Sequence, residues 1–452
     1  MDIASRAPHW PRSAVLVVAV CFVTVIFDGY DLIVYGAVIP LLLHEPGWAL
    51  GPAEAGTLGS YALLGMLIGA LVAGTVTDLV GRRPVILACL AWFSVAMGAC
   101  ALASSPQWLG VLRFVAGLGL GGVIPTATAL TLEYAPAHRR NFTYALMFSG
   151  WAVGGVLTAL VGQALLPAAG WRTMFAIGAL PLVLVLPLAW WLLPESVEFL
   201  RARGRSAEAT ALARKLGLPD APAPRADERT TGVRAVRALF TARYRVTTML
   251  FWVTCFLGLL LVYGLNTWLP QIMRQAGFSL GSALGFLLAL NAGTILSALV
   301  MSWAADRRGH KPVIVVMFAV AAAAIVLLTT KPPLALTYVL IVGAGFGVGT
   351  QILLNSFVGG SYPVGSRASA LGTALGVGRF GAIFGPTIGG YLVAANLGAG
   401  WNLAFFAGVA LLAAAAVALV PRPQRHGATA TNGIEPRAGT FSSGITGGNA
   451  VK

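Results

Sequence analysis

Residues 27–36 read FDGYDLIVYG, which puts two carboxylates, Asp28 and Asp31, near the middle of a stretch that is otherwise almost entirely apolar. A spacing of three places both on one helical face, with Tyr35 seven residues from Asp28 on the same side. Carboxylates removed from water repel each other and lose their hydration, so carrying both charges at once is costly and the pair suits a proton carrier. The plainer reading is that one aspartate accepts only backbone or arginine hydrogen bonds.

Two arginines fall inside apolar stretches. Arg379 lies about halfway along GVGRFGAIFGP; a guanidinium cannot shed its proton, so it must find an anion, either the paired aspartates or an anionic ligand. Arg113 lies some two turns inside its stretch, where a charge costs about 2.5 to 3.5 kcal/mol on insertion scales unless it snorkels to an interface. Asn266, Asn291, Gln351 and Asn355 are expected near the same depth and could orient a ligand, although polar contacts between helices are equally common. Tyr30, Tyr263 and Trp268 could wall a ring-shaped pocket or mark the interface belt.

The elements that must hold these side chains follow from composition. The chain has 452 residues, 58% hydrophobic and only 10% charged, with a mean hydropathy of +0.82. A soluble protein carries roughly a quarter charged residues, so a soluble globular fold is excluded. Spans are expected at 14–43, 55–77, 85–103, 107–132, 142–166 and 172–193, then at 246–269, 280–303, 312–329, 334–357, 367–395 and 401–420. The expected organisation is therefore an N-terminal six-helix half (1–193), a polar cytoplasmic linker (194–245) with a short surface helix at Ser206 to Leu216, a C-terminal six-helix half (246–420) and a disordered cytoplasmic tail (421–452). Basic residues before the first span lead into an apolar run without a small-residue cleavage site, which reads as a first span and not a signal peptide.

Thirty Lys and Arg against fifteen Asp and Glu give +15. With a cytoplasmic N-terminus, the external loops hold only Arg172, Arg274 and Lys331, the spans hold Arg113 and Arg379, and the remaining twenty-five basic residues face the cytoplasm. Anionic lipid headgroups then account for the charge without nucleic acid. Cys21, Cys89, Cys100 and Cys255 all lie in apolar runs without metal-ligand spacing, and read as small hydrophobes.

One offset, 228, relates three separated segments. It carries Asp78, Gly81 and Pro84 onto Asp306, Gly309 and Pro312, Gly117, Gly119 and Gly121 onto Gly345, Gly347 and Gly349, and Arg139 onto Arg367. An even number of spans per copy makes the repeat parallel. In GTVTDLVGRRP, Gly74, Asp78, Gly81, Arg82 and Arg83 could form a latch, with Asp78 capping a helix and the arginines meeting a helix C-terminus or a carboxylate. Asp306, Arg307, Arg308, Gly309 and Lys311 form its second copy, and simple positive-inside charge around a tight turn is the bland alternative. The glycines after Arg113 let helix backbones approach closely.

On these motifs the chain resembles the aromatic acid/proton symporter family of the major facilitator superfamily, from about Val15 to Val420. The sharpest element is the Asp-Gly-aromatic-Asp run at Asp28 to Asp31; its continuation DLIVYGAVIP is most similar to the benzoate and hydroxybenzoate (including gentisate) branch. Arg113, Glu133, Arg367 and Arg379 fall on charged positions typical of the family, and Pro194 to Ser196 match the end of its sixth span. The resemblance implies an all-α membrane protein of twelve transmembrane helices in two six-helix halves. It also implies proton-coupled import of an aromatic carboxylate across a bacterial cytoplasmic (inner) membrane, with both termini cytoplasmic. The proton gradient is the driving ion and no cofactor is needed; the partners are the acid, the proton and the bilayer, and a monomer suffices. Proton-carrying roles fall to Asp28 and Asp31, substrate contact to Arg379, Tyr35, Arg113 and the four amides, and gating to the two loops with Glu133, Arg139 and Arg367. A proton antiporter exporting aromatic or drug-like compounds, and a membrane chemoreceptor for aromatic acids, are the alternatives; an enzyme is not expected, since no metal cluster, nucleophile-base pair or phosphate loop occurs.

Overall fold

The computed structural model describes residues 12–136, 139–216 and 233–421, and these are helical throughout, with no strand among them. The proposed tail beyond residue 421 and linker residues 217–232 lie outside the described residues. The first four spans are α1 (Arg12–Leu42), α2 (Pro52–Val80), α3 (Arg82–Ala101) and α4 (Pro106–Tyr134). Spans 5 and 6 share one apolar run of 51 residues, Phe142–Leu192. The run holds α5 (Arg140–Gly178), which breaks at Gly170 (φ 72°, ψ 179°), a 3₁₀ turn at Leu180–Leu182, and α6 (Val185–Leu192). Span 6 is therefore interrupted, where one continuous helix was expected at 172–193. Pro181 and Pro187 explain this, since each removes a backbone donor from the ladder.

The linker contributes three short helices, α7 (Val197–Ala202), α8 (Ser206–Lys215) and α9 (Val233–Leu239), the second matching the expected surface helix. The last six spans are α10 (Arg245–Gln275), α11 (Leu280–Arg308), α12 (His310–Leu328), α13 (Leu334–Gly360), α14 (Val364–Ala394) and α15 (Ala399–Leu419). Of these α14 is diluted by eight glycines and Arg379, yet its 31 residues are long enough to cross a hydrocarbon core of about 30 Å. Twelve spans result.

The internal repeat is a repeat of packing. Where α2 meets α4, a Cβ on Gly65 would strike the Phe114 carbonyl and one on Gly117 the Ala62 carbonyl. Where α11 meets α13, a Cβ on Gly293 would strike the Val342 carbonyl and one on Gly345 the Leu290 carbonyl, the same four positions displaced by 228. Both copies also turn on a glycine with positive φ, Gly81 (112°) between α2 and α3 and Gly309 (82°) between α11 and α12. These two turns mark one end of the bundle, called here the basic end.

The six-helix sets meet along α2 with α14, α5 with α11, and α1 with α10. Toward the far end the seam is tight. Ser60 Oγ donates to the Ile383 carbonyl at 2.6 Å and lies 2.7 Å from Thr387 Oγ1. A Cβ on Gly56 would overlap the Pro386 carbonyl, and one on Gly36 the Asn266 carbonyl. At the basic end the described ion pairs stay within one set. Arg82 reaches Glu133 (3.6 Å) and Glu198 (3.3 Å), and Lys311 donates to the Val420 carbonyl at 2.6 Å.

Gly117→Ala should lower the unfolding temperature in detergent by an amount corresponding to about 1–3 kcal/mol of overpacking. Gly372→Ala, with nothing within 4 Å of the added Cβ, should be neutral or slightly stabilising. Equal midpoints for the two variants would remove close helix approach as the role of the repeated glycines.

Candidate functional site

The four mid-depth charges divide into two unequal pairs. Arg113 on α4 is 1% exposed and forms an ion pair with Asp31, and its Nη2 donates to the Asp31 carbonyl at 3.1 Å. The Tyr35 ring lies 5.8 Å from the guanidinium and the Phe175 ring 5.9 Å, so the cation is enclosed by one carboxylate and two aromatic faces. Arg113 thus does not snorkel, because a partner at its own depth makes that unnecessary. Tyr35 does not reach a cavity either: its hydroxyl donates to the Ala55 carbonyl at 2.7 Å.

Asp28 and Asp31 have different neighbours although they share a broad helical face. Three residues of α-helix turn the chain through about 300°, which leaves the side chains some 60° apart. Asp31 faces Arg113, while Asp28 lines a cavity whose wall also holds Arg379. Both Asp28 oxygens are buried and neither accepts a hydrogen bond. Arg379 is half-buried; its Nη1 lies 3.2 Å from Met66 Sδ, and its guanidinium also engages the Tyr263 hydroxyl. No carboxylate hydrogen-bonds it, so its donors stand available to a ligand anion beside a carboxyl group that lacks donors.

The cavity measures about 170 Å³ and lies on the basic side of the closed seam, between α1, α2, α4 and α5 on one hand and α10, α11, α13 and α14 on the other. Aromatic side chains form much of its wall. Trp151 and Tyr263 meet edge to face at 6.1 Å, one from each six-helix set, and Tyr144 and Phe148 pack at 6.0 Å along α5. An apolar cavity of about 150 Å³ accepts a benzene ring, so one substituted ring is the scale of ligand that fits. Gln351 and Asn355 also line it, joined by a 3.1 Å hydrogen bond from Gln351 Nε2 to Asn355 Oδ1.

Asn266 and Asn291 are not in the cavity. They form a polar rung in the closed seam, with Asn291 Nδ2 donating to Asn266 Oδ1 at 3.0 Å and Asn266 Nδ2 to the Val262 carbonyl at 2.8 Å. Of the three aromatic residues singled out from the sequence, only Tyr263 lines the cavity. Tyr30 donates to the Met174 carbonyl and Trp268 to the Pro386 carbonyl. Sequence reasoning missed Tyr144, Phe148 and Trp151. Their spacing of four and then three along span 5 is a helical stripe, and that periodicity was the available signal.

At the basic end Asp78 does not cap α3. The N-terminal donors of α3 go to Glu195, whose Oε1 accepts from the backbone of Arg82 (2.9 Å), Arg83 (3.2 Å) and Ser196 (2.9 Å). Arg82 additionally holds Ser196 Oγ, Arg83 donates to the Trp190 carbonyl at 2.6 Å, and Glu133 accepts from the Glu198 backbone at 2.9 Å. Asp78, Asp306, Arg139 and Arg367 are exposed, as are Arg307, stacked 4.2 Å from the Trp303 ring, and Arg308. Gly74 has no neighbour that a side chain would meet. The described residues contain no cluster suited to a metal ion.

A sequence profile described as Major Facilitator Superfamily matches residues 21–355 and again 281–446. The gentisate transporter of Corynebacterium glutamicum is 40% identical over 405 residues, covering 89% of this chain and 86% of its own. The benzoate transport protein of Acinetobacter baylyi is 35% identical, covering 86% and 84%, and the gallate transporter of Pseudomonas putida is 38% identical, covering 85% and 86%. Among solved structures, the proton:xylose symporter XylE superposes with a TM-score of 0.69 at 19% identity, over 90% of this chain and 96% of that one, a likeness of fold. With this profile match and these identities over more than four-fifths of its length, the chain belongs to the Major Facilitator Superfamily, beside relatives named as aromatic acid transporters, and is a transport protein, not an enzyme.

Proposed function

We propose that the protein imports a small aromatic carboxylate together with a proton across a bacterial cytoplasmic membrane. The observation that carries this reading is the cavity of one-ring size in which Arg379 stands beside an Asp28 carboxyl without donors. The names of the relatives, gentisate, benzoate and gallate transporters, support the same substrate class. The asymmetry of Lys and Arg supports a cytoplasmic basic end and cytoplasmic termini. In that orientation the structure is an inward-facing state, with the seam closed on the external side.

Asp28 is the proton carrier in this scheme. A proton can be accommodated on it without breaking an existing contact, whereas Asp31 would have to release Arg113. While Asp28 is charged it competes with the substrate carboxylate for Arg379. Once it is protonated, the guanidinium fork is free to take that carboxylate in two parallel hydrogen bonds. The aromatic walls receive the ring, and rocking of the two halves moves the site between the two faces of the membrane.

The exposed charges at the basic end supply the gate. Asp78 and Asp306 sit in the last turns of α2 and α11, where the helix dipole disfavours an acid. Since α2 packs on α14 and α11 on α5, closing the basic end brings Asp78 toward Arg367 and Asp306 toward Arg139. The outward-facing state is thereby favoured through crossed pairs related by the repeat.

Three outcomes test this reading. Arg379→Lys should weaken binding of benzoate-like acids at the Arg379 cavity of the purified protein by roughly tenfold or more, because charge remains but the bidentate fork is lost, and Arg379→Ala should abolish binding at that cavity. Equal affinity for an acid and its amide would remove Arg379 from recognition. Asp28→Asn should bind substrate yet fail to accumulate it against a gradient in proteoliposomes. Asp31→Asn should also unfold earlier, by about 3–5 kcal/mol, since Arg113 is left as an uncompensated buried charge; protonophore-sensitive uptake at the wild-type rate by Asp28→Asn would end the carrier assignment. Finally, Asp78→Arg should slow turnover with binding unchanged, and Arg367→Asp in the same chain should restore it; absence of rescue would dissolve the crossed gate.

A further inference from the structure

A second cavity, of about 460 Å³, lies at the far end of the same seam. It is lined by the end of α1 and the turn after it (Pro40, Leu41, His44, Glu45), by the break in α5 around Gly170, by Arg274 at the end of α10, and by Leu280 at the start of α11. These are the helices that carry the closed contacts below it, where Gly36 abuts Asn266, Gly155 abuts Asn291, and Gly162 abuts Leu284. The two cavities therefore share one path, separated by the closed stretch of seam that ends at the Trp151 and Tyr263 pair.

The charges around this cavity do not cancel. Arg172 is neutralised by Glu45 at 2.7 Å, and the second Glu45 oxygen accepts from Trp171 Nε1 at 2.9 Å. Partial burial alone would raise the Glu45 carboxyl, but hydrogen bonds from Arg172 and Trp171, with the Arg172 charge, outweigh it and hold the group below its usual range. Glu45 is thus an occupied anion, fastened at both oxygens. Arg274 is exposed and has no acidic partner among the described residues. His44 donates from Nδ1 to the Pro40 carbonyl at 2.9 Å, since that carbonyl can only accept, which leaves Nε2 uncommitted. The cavity therefore presents one unspent guanidinium and one imidazole nitrogen above apolar surface from Pro40, Leu41 and Leu280. Of the three basic residues expected in the external loops, two line it.

We propose that this cavity is a second, outer binding site for the aromatic carboxylate, in which Arg274 holds the anion and the apolar floor receives the ring before the halves rock. The proposal rests on the orientation and substrate class argued above. An outer site fills while the inner one faces the cytoplasm, so the next substrate is already positioned when the seam opens. An unpaired cation at the mouth of a cavity also raises the local concentration of an anionic substrate.

Calorimetric titration of detergent-purified protein with benzoate or gentisate, and uptake into proteoliposomes, test it together. Wild type should bind two molecules per chain. Arg274→Gln should keep the inner site, lose the outer one, and raise the KM for uptake roughly tenfold with kcat nearly unchanged. Arg379→Ala should keep the outer site alone. Arg274→Lys should retain most of the wild-type KM, and Arg274→Glu should exceed the effect of Arg274→Gln. One molecule bound per wild-type chain overturns the site, whether or not KM moves, and so does an unchanged stoichiometry in Arg274→Gln. A wild type that binds one acid, lost in Arg379→Ala, leaves the functional reading standing while this proposal fails; no binding to wild type removes both.

Discussion

A charge in the middle of a bilayer has no water to turn to, and the fold is organised around how four such charges are satisfied. Arg113 and Asp31 neutralise each other, with aromatic rings against the guanidinium, although Asp31 Oδ2 and Arg113 Nε have no hydrogen-bond partner among the described residues. That pairing determines what is left. Asp28, one helical turn away, has no donor on either oxygen, and Arg379 has its Nη1 against the Met66 thioether and no carboxylate hydrogen bond among the described residues. Had Arg113 been placed to reach Asp28 as well, the cavity would contain a neutralised carboxylate and Arg379 would have no competitor for substrate. The unequal division of two acids between two arginines converts a pair of buried ion pairs into one structural pair and one reactive one. It also sets the architecture. Asp31 and Arg113 tie α1 to α4 within the first six helices, while Asp28 and Arg379 face each other across the two halves. In the proposed cycle only the second pair changes its surroundings.

The proposed rocking of the halves demands interfaces that are close but weakly bonded. The seam meets this by using backbone against backbone. Gly36, Gly56 and Gly390 bring helices together without long side chains, and the hydrogen bonds that cross are few, chiefly those of Ser60. Packing inside each half is of the same kind but denser, with carbonyls seated over Gly65, Gly117, Gly293 and Gly345. A contact of this type is strong when the surfaces fit and is lost abruptly when they separate. This is the behaviour of two rigid bodies with a small number of docked arrangements, not of a continuously deforming one.

Much of this was legible in the sequence because bilayer and repeat both write in period and offset. Span positions, the parallel repeat and the placing of Asp28, Asp31 and Arg379 at depth in the bundle followed from hydropathy, from the offset of 228 and from charge inside apolar runs. What was not legible is partner choice. Arg113 and Arg379 look alike from sequence, each a lone arginine in a glycine-rich span, and nothing local says which meets which aspartate. Asn266 and Asn291 lie at the right depth yet belong to the seam, because depth along a helix says nothing about which neighbour a face meets. The interruption of span 6 was signalled by Pro181 and Pro187. The capping role of Glu195 was hidden, since the two backbone donors of α3 that it accepts from lie more than a hundred residues away in sequence.

The division of labour between the two ends follows from the same constraint. Every described ion pair at the basic end is internal to one half, and the acids left over, Asp78 and Asp306, occupy helix C-termini that favour cations. At the far end the seam is closed by neutral contacts, and the nearest ion pair, Glu45 with Arg172, is likewise internal to the first half. In this state no described ion pair between the halves has to be broken for the seam to open. In the proposed cycle the barrier is the fit of glycine-lined surfaces, and the electrostatic part of the balance lies in the exposed charges at the basic end. A structure built this way stores its driving force for closure where the charges are exposed and its resistance to opening where they are absent. In the proposed cycle, a proton or a carboxylate arriving at Asp28 and Arg379, midway between the two, tips the balance by changing a single charge.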